Sequence, residues 1–312
     1  MNKRVLTVSS SYMRLKTGMD NLPGGSQEIC GKYYSYTPGG RGIVAALCFA
    51  AFGLDSIFCT ALGDDRHGKN IRSLLRSAGV DCRFVKTVSK AKTGLHLTLT
   101  EEGKTRRTVK FPEANLYIDD GDIEEAFATY PDALFIQKEL TDVLMSSAAR
   151  HAKKGGVPIF WQPCEKRGDF DPRKLGEIEI LILDADEVYS YCGVEMSEYE
   201  KFLQAAMALA ERIPAKQYVI RIPDRGTFIY DGMYHRMVGE YPSTYIDEDG
   251  SREIYGAVLV AAYLKSGGDI KTAAQCASLA YAVSSSERGE IESIPTEEDL
   301  SAYLKRKQNA KF

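Results

Sequence analysis

Seven residues, Asp247-Glu248-Asp249-Gly250-Ser251-Arg252-Glu253, stand directly before an apolar run that begins near Ile254. A glycine-containing turn at a helix start presents unpaired backbone NH groups at the positive end of the helix dipole, a setting suited to an anion such as a phosphoryl group in transfer. Glu253 falls beside that setting, where a carboxylate can take the proton of an attacking hydroxyl. Composition alone favours a solvated acidic loop whose first-turn Glu suits the dipole, so the position of the bend carries the argument. A second segment, Gly63-Asp64-Asp65-Arg66-His67-Gly68-Lys69-Asn70, matches the phosphate-loop pattern up to its last residue. Asn70 stands where a Ser or Thr would hold magnesium, and Asp64 with Asp65 repels phosphate, so a strand-to-helix turn is expected there. The chain has no Gly-x-Ser-x-Gly elbow and no Gly-x-Gly-x-x-Gly after its first strand, which removes the main support for a serine hydrolase or a dinucleotide dehydrogenase. With four histidines and no Cys-x-x-Cys or His-x-x-x-His spacing, a zinc or transition-metal cage has little to use.

The elements that must position such a bend read as an α/β alternation. Val5–Val8 is a short buried strand, and Tyr33–Tyr36 an exposed one. Gly39-Gly40-Arg41-Gly42 leads into Ile43–Phe52, apolar almost all round and therefore a buried helix. Strands follow at Ser56–Thr60, Cys82–Thr87, Ala133–Ile136, Val157–Trp161, Ile178–Leu183 and Tyr218–Ile222, with helices at His67–Ser77, Leu140–His151 and Tyr199–Glu211. Gly94–Thr100 and Arg106–Phe111, joined through Glu101-Glu102-Gly103, form a hairpin that interrupts the series. Short apolar strands separated by helices imply a mostly parallel sheet covered on both faces. Helical runs at Ile254–Leu264 and Thr272–Val283 and a polar helix from about Thr296 close the chain.

With 312 residues the chain can build one large or two small domains. Its 40 Lys and Arg against 43 Asp and Glu give a net charge of −3, so nucleic acid is not an expected partner. The apolar stretches Ile43–Phe52 and Tyr255–Leu264 fall short of the roughly 18 residues that span a bilayer, and no membrane association is expected. The basic start Met1-Asn2-Lys3-Arg4 is followed only by Val5–Val8, without the apolar middle of a signal peptide. The seven scattered cysteines are odd in number, and a reducing cytoplasm is the expected compartment.

Several segments, in order and over nearly the whole chain, resemble the ribokinase-like, or PfkB, carbohydrate kinases. Gly39-Gly40-Arg41-Gly42-Ile43-Val44-Ala45-Ala46 resembles that family's Gly-Gly-Lys-Gly-Ala-Asn-Gln-Ala signature, and Gly63-Asp64-Asp65 with Gly68 its Gly-x-Asp-x-x-Gly turn. Asp184-Ala185-Asp186-Glu187 followed by Gly193 is similar to its Asn-x-x-Glu motif, Asp247–Glu253 to its Asp-Thr-x-Gly-Ala-Gly-Asp, and Pro295-Thr296 to its closing segment. The resemblance implies an α/β fold: a single Rossmann-like three-layer αβα domain with a small β-sheet lid formed by about residues 11–38 and 92–115. It further implies ATP and Mg2+, transfer of the γ-phosphoryl group to a sugar hydroxyl, a monovalent cation as a further ligand, and a homodimer through the lid.

Carried onto this sequence, the resemblance makes Glu253 the base and the amides of Gly250, Ser251 and Arg252 the phosphoryl cradle. It places substrate contacts at Arg14, Gly39, Gly40, Arg41 and Val44, and nucleotide contacts at Arg221, Gly226 and Ser278. Asp184 and Glu187 are implied to organise magnesium, and Asp247 to order the loop and its monovalent cation. The departures are chemical. Glu253 stands where an Asp is usual and carries one more methylene; Ser251 and Arg252 replace Ala and Gly; Pro223 removes a backbone donor. Arg252 could supply a cation to phosphate. Arg14 replaces a hydroxyl-binding Asp; a guanidinium forks onto planar anions, so the substrate is expected to be a sugar acid if Arg14 enters the pocket and a neutral sugar if it stays on the lid surface. The alternative is a relative with a drifted catalytic loop that binds sugar or nucleotide, or regulates, without catalysis.

Overall fold

The computed structural model describes residues 2–101, 106–164 and 168–309. Strand β1 (Arg4–Val8) lies near the middle of the main sheet, and after it the chain leaves for a second sheet through β2 (Tyr12–Met19) and β3 (Tyr33–Gly39). Helix α1 (Arg41–Ala51) returns it to β4 (Asp55–Gly63), α2 (Arg66–Ser77) and β5 (Val85–Val88). Strands β6 (Gly94–Glu101) and β7 (Arg106–Phe111) complete the second sheet. Alternation resumes with α3 (Asp120–Phe127), β8 (Ala133–Gln137), α4 (Asp142–Gly155), β9 (Ile159–Gln162), β10 (Ile178–Asp184), α5 (Ala185–Cys192), α6 (Tyr199–Ala210) and β11 (Ala215–Ile222). The chain then runs through β12 (Gly226–Tyr230), β13 (His235–Val238), α7 (Ser251–Lys265), α8 (Ile270–Ser284) and α9 (Glu297–Asn309).

The main sheet has nine strands in the order β13-β12-β11-β10-β9-β8-β1-β4-β5, parallel from β5 to β11 and antiparallel at the β12–β13 edge. Period-two burial divides β1 between two cores. Leu6 and Val8 belong to the core that also holds Met145 and Ala148 of α4 and Phe202 of α6, whereas Val5 belongs to the core shared by α1, α7 and α8. Both faces are covered, as the near-continuous apolar strands require.

The second sheet has four strands in the order β3-β2-β6-β7. Its inner strands pair in parallel, Tyr12 opposite Gly94 through Met19 opposite Glu101, and each then carries an antiparallel neighbour. The hairpin expected at 94–111 is present, while Glu102 and Gly103 of its turn lie outside the described residues. The segment expected as a strand at Cys82–Thr87 begins later, at Val85, because only Val85–Val88 aligns with Thr60–Gly63. The phosphate-loop lookalike is the strand-to-helix turn expected of it. Asp65 caps α2 by accepting from the Gly68 amide at 2.8 Å and also accepts from the Thr93 amide at 2.7 Å.

Candidate active site

The C-terminal ends of β1, β8, β9 and β10 meet the N-termini of α1 and α7 along one rim of the body, the edge where open α/β sheets bind ligands. Across that rim lies the four-stranded sheet, and between them is a cleft of about 430 Å³ lined by residues of both. Helix α7 begins at Ser251 with Gly250 as its cap at φ 82°. A side chain there would be strained by that φ and would also meet Glu290, whose Cγ and carbonyl oxygen lie 2.9 Å from the position of a Cβ, so glycine is required. The Ser251 amide closes the turn onto the Glu248 carbonyl at 3.1 Å, while the amides of Gly250 and Arg252 make no intramolecular hydrogen bond among the described residues. Two donors at the positive end of a helix dipole are thus available to an anion.

The side chains that replace small residues in this bend do not block it. Ser251 is fully buried, its Oγ 3.0 Å from Ser284 Oγ behind the loop. Arg252 swings sideways, its Nε 2.7 Å from Asp184 Oδ2 and its Nη2 3.3 Å from Asp186. Glu253 lines the cleft, and the Nε of Arg41 lies 3.3 Å from its Oε1. Arg41 opens α1 directly after Gly40, whose φ of 127° turns the chain from the lid into the helix. Its guanidinium also approaches Glu139 at 3.9 Å and donates to the Pro163 carbonyl at 3.4 Å.

The lid contributes Arg14 and Lys16 from β2, His96 and Thr98 from β6, and Arg106 and Lys110 from β7. Arg14 reaches Glu290 at 3.0 Å, Lys16 reaches Asp249 at 2.8 Å, and Arg106 also pairs with Asp249. Burial, helped by Lys110, Arg14 and Arg41, lowers the His96 pKa to about 3, so this ring is neutral against Tyr12.

Of the residues singled out on the sequence, Arg14, Arg41, Gly250, Arg252 and Glu253 meet in this cleft. Gly39 lies beside it, packed on Glu290 and Arg14. Val44 does not reach it: the side chain is fully buried in the core shared by α1, α7 and α8, because a valine one turn into an apolar helix follows the core-facing stripe. The remaining residues, Asp247 apart, lie in a neighbouring cluster that Arg252 joins to the cleft. Asp184 ends β10 and accepts from Arg221 Nε and Nη2 at 2.9 and 2.8 Å, and the Arg221 guanidinium stacks 4.1 Å over the Tyr281 ring. Glu187 closes a capping box with one oxygen on the Asp184 amide at 2.8 Å, while its Oε1 is buried without a partner. Burial, with Asp184 alongside, raises the Glu187 pKa to about 8. Ser278 is buried in α8, 3.5 Å from Thr227, and Gly226 starts β12 at φ 105°. Asp247 accepts from the amides of Asp249 at 3.1 Å and Gly289 at 3.3 Å, which ties the bend to the segment after α8.

As a magnesium donor set this cluster fits in one member. Glu187 has a free oxygen, whereas both oxygens of Asp184 are already taken by two guanidinium groups. Glu139, Gln162 and Glu290 carry no signal read on the sequence, and Asp249 stands in the bend without a role assigned to it. Glu139 follows the end of β8, a position that a parallel sheet reserves for ligands and that could have flagged it. It accepts from Ser10 at 2.8 Å and Tyr12 at 3.3 Å. Gln162 ends β9 and donates to the Arg252 carbonyl at 2.6 Å.

An αβα body and a sheet lid enclosing a carboxylate and a helix N-terminus define a phosphotransferase-type architecture. The family model described as pfkB family carbohydrate kinase matches residues 3–297, and the chain belongs to that family. A ribokinase of Arabidopsis thaliana is 23% identical over 319 aligned residues, covering 96% of this chain and 81% of that protein. A 2-dehydro-3-deoxygluconokinase of Thermoproteus tenax is 25% identical over 288 residues, 85% of each. The solved structure of Arabidopsis thaliana ribokinase complexed with ribose and ATP superposes with a TM-score of 0.86 at 22% identity, covering 98% of this chain and 99% of that one. The chain therefore has the ribokinase-like fold and is a carbohydrate kinase by family.

Proposed function

We propose that this protein transfers the γ-phosphoryl group of ATP to a hydroxyl of a sugar or sugar acid bound under the lid. The observation that carries the reading is Glu253 in the cleft, oriented by Arg41 at 3.3 Å, next to the unpaired amides of Gly250 and Arg252. In the step, the acceptor oxygen gives its proton to Glu253 and forms a bond to the γ-phosphorus, and the bond from that phosphorus to the β-bridging oxygen breaks, releasing ADP. The Gly250 and Arg252 amides receive the charge on the transferring oxygens, while the Arg252 guanidinium is drawn to one side of them by Asp184. A magnesium ion bound with the nucleotide would supply charge neutralisation along the phosphates, and Glu187, with its free oxygen, is the residue that would hold it through water. Asp184 acts one step removed by fixing Arg221 and Arg252. Asp247 orders the bend, as its two amide contacts support, and is the candidate neighbour of a monovalent cation.

The cations Arg14, Lys16, Arg106 and Lys110 along the lid wall support an acidic carbohydrate, as does the likeness to a kinase named for 2-dehydro-3-deoxygluconate. Exposed Tyr33, Tyr34, Val109 and Phe111 on the lid strands support a homodimer formed through it. The seven cysteines are free thiols, which supports a reducing cytoplasm, and no helix among the described residues is long and apolar enough to cross a membrane.

The test is titration calorimetry with ATP, with and without magnesium, followed by a coupled ADP-release assay over neutral sugars and sugar acids. Transfer to at least one acceptor, strongest among the acids, is expected. Nucleotide binding with no acceptor turned over would return the non-catalytic alternative.

A further inference from the structure

Glu290 belongs to no motif, yet it occupies the junction of every part of the cleft. It follows α8 and is 93% removed from solvent by its 7% relative exposure. One carboxylate oxygen, Oε1, takes the Nη2 of Arg14 on lid strand β2 at 3.0 Å. The other, Oε2, is buried and has no hydrogen-bond partner. The side chain is wedged between two glycines: a Cβ at Gly39 would lie 3.0 Å from Oε2, and one at Gly250 2.9 Å from Cγ. The double-glycine turn and the phosphoryl bend are therefore both shaped to admit it. Buried oxygens without a donor are uncommon and mark a missing ligand or an unseen water.

We propose that Glu290 is a specificity-determining residue of the acceptor site, whose unpaired Oε2 receives a hydrogen bond from a hydroxyl of the bound carbohydrate while Arg14 holds Oε1. The pair reads donors on the acceptor, and Arg14 is a positioning residue for that carboxylate. With Lys16 and Arg106 both paired to Asp249, Lys110 is then the lid-wall cation left to meet an acidic substituent. A carbohydrate lacking the hydroxyl that meets a buried acceptor typically loses tenfold or more in affinity, because the acceptor stays buried and unpaired.

The inference rests on the kinase reading, and two readouts on the intact protein separate them. Calorimetric titration with a panel of sugars, sugar acids and their single-deoxy analogues gives binding without reference to transfer; ADP release gives transfer. The variant is Glu290→Gln, isosteric and able to keep the wedge, with Glu290→Ala as a second. For Glu290→Gln we expect acceptor affinity to fall about tenfold or more with ATP affinity unchanged, and one deoxy analogue to bind wild type and variant alike. Binding that is lost in Glu290→Gln while the wild type shows no transfer supports the role of Glu290 and overturns the kinase reading. Transfer with unchanged acceptor affinity and unchanged deoxy discrimination in both variants overturns the role of Glu290 alone. Failure of every carbohydrate to bind the wild type overturns both.

Discussion

The Asp184 cluster and the neighbouring cleft use their charges differently. At the Asp184 end the pair Asp184–Arg221 lies within one wall, both side chains under 10% exposed, with the guanidinium further held on Tyr281. At the Glu253 end the pairs join elements that approach from different sides: Arg14 to Glu290 and Lys16 with Arg106 to Asp249 run from lid to body. An ion pair inside one wall cannot open without stranding a buried charge. A partly solvated pair between lid and body can exchange its partner for a ligand at lower cost. On the proposed function, the first end is scaffold beside the phosphates and the second is where the acceptor would be read.

The comparison breaks most decisively at Glu253. Glu253→Gln is expected to reduce kcat by about 10²–10⁴-fold, the usual worth of a positioned base, with the melting temperature retained, as measured by steady-state kinetics and thermal unfolding. Unchanged turnover would move the base elsewhere. Next comes Asp184→Asn, which leaves the Arg221 guanidinium buried without its counter-charge; a loss of about 3–5 kcal/mol in denaturant unfolding is expected. A loss near zero would show that end to be as adaptable as the other.

The third contrast is in pH. Burial, opposed by Arg14 and helped by Glu253, Glu139 and Asp249, pushes the Glu290 carboxyl from its ordinary 4.5 up to about 8. Between those values the folded chain holds a proton that the unfolded chain has lost. Stability from this group is thus fully present below pH 4.5 and declines as pH rises through about 8, by up to roughly 1.4 kcal/mol per pH unit. Glu290→Gln should flatten that part of the pH profile of unfolding, and an unaltered slope would place the titrating group elsewhere. The smallest effect is expected for Asp249→Asn, which weakens two lid contacts that are partly solvated. A few-fold rise in acceptor KM with kcat nearly kept, on the order of 1 kcal/mol, is the expected outcome of kinetics on that variant.

Much of this was legible because local pattern and tertiary role agree. The apolar run Ile43–Phe52 is α1, the alternating strands form the parallel sheet, and the break at 94–111 is half of the lid. The antiparallel edge β12–β13 was passed over although Asp231-Gly232 between two β-rich runs is a hairpin signal. The bend at Gly250 was readable from its glycine and the helix behind it. Glu290 was not: it is a single acid in a polar segment, and its meaning comes from Arg14, 276 residues earlier. Val44 misled for the opposite reason, since a motif position says nothing about which way an apolar side chain turns. The direction taken by Arg252, away from the cradle and onto Asp184, likewise depends on a carboxylate delivered by another strand.

The stretch that follows α8 holds Gly289 against Asp247, Glu290 against Arg14, and Ser293 against Ser284, which in turn touches Ser251. This connection between α8 and α9 is therefore a wall of the cleft rather than a simple link. Shortening it would disturb the bend before α7 and the lid together, although the lid strands lie far away in the linear order.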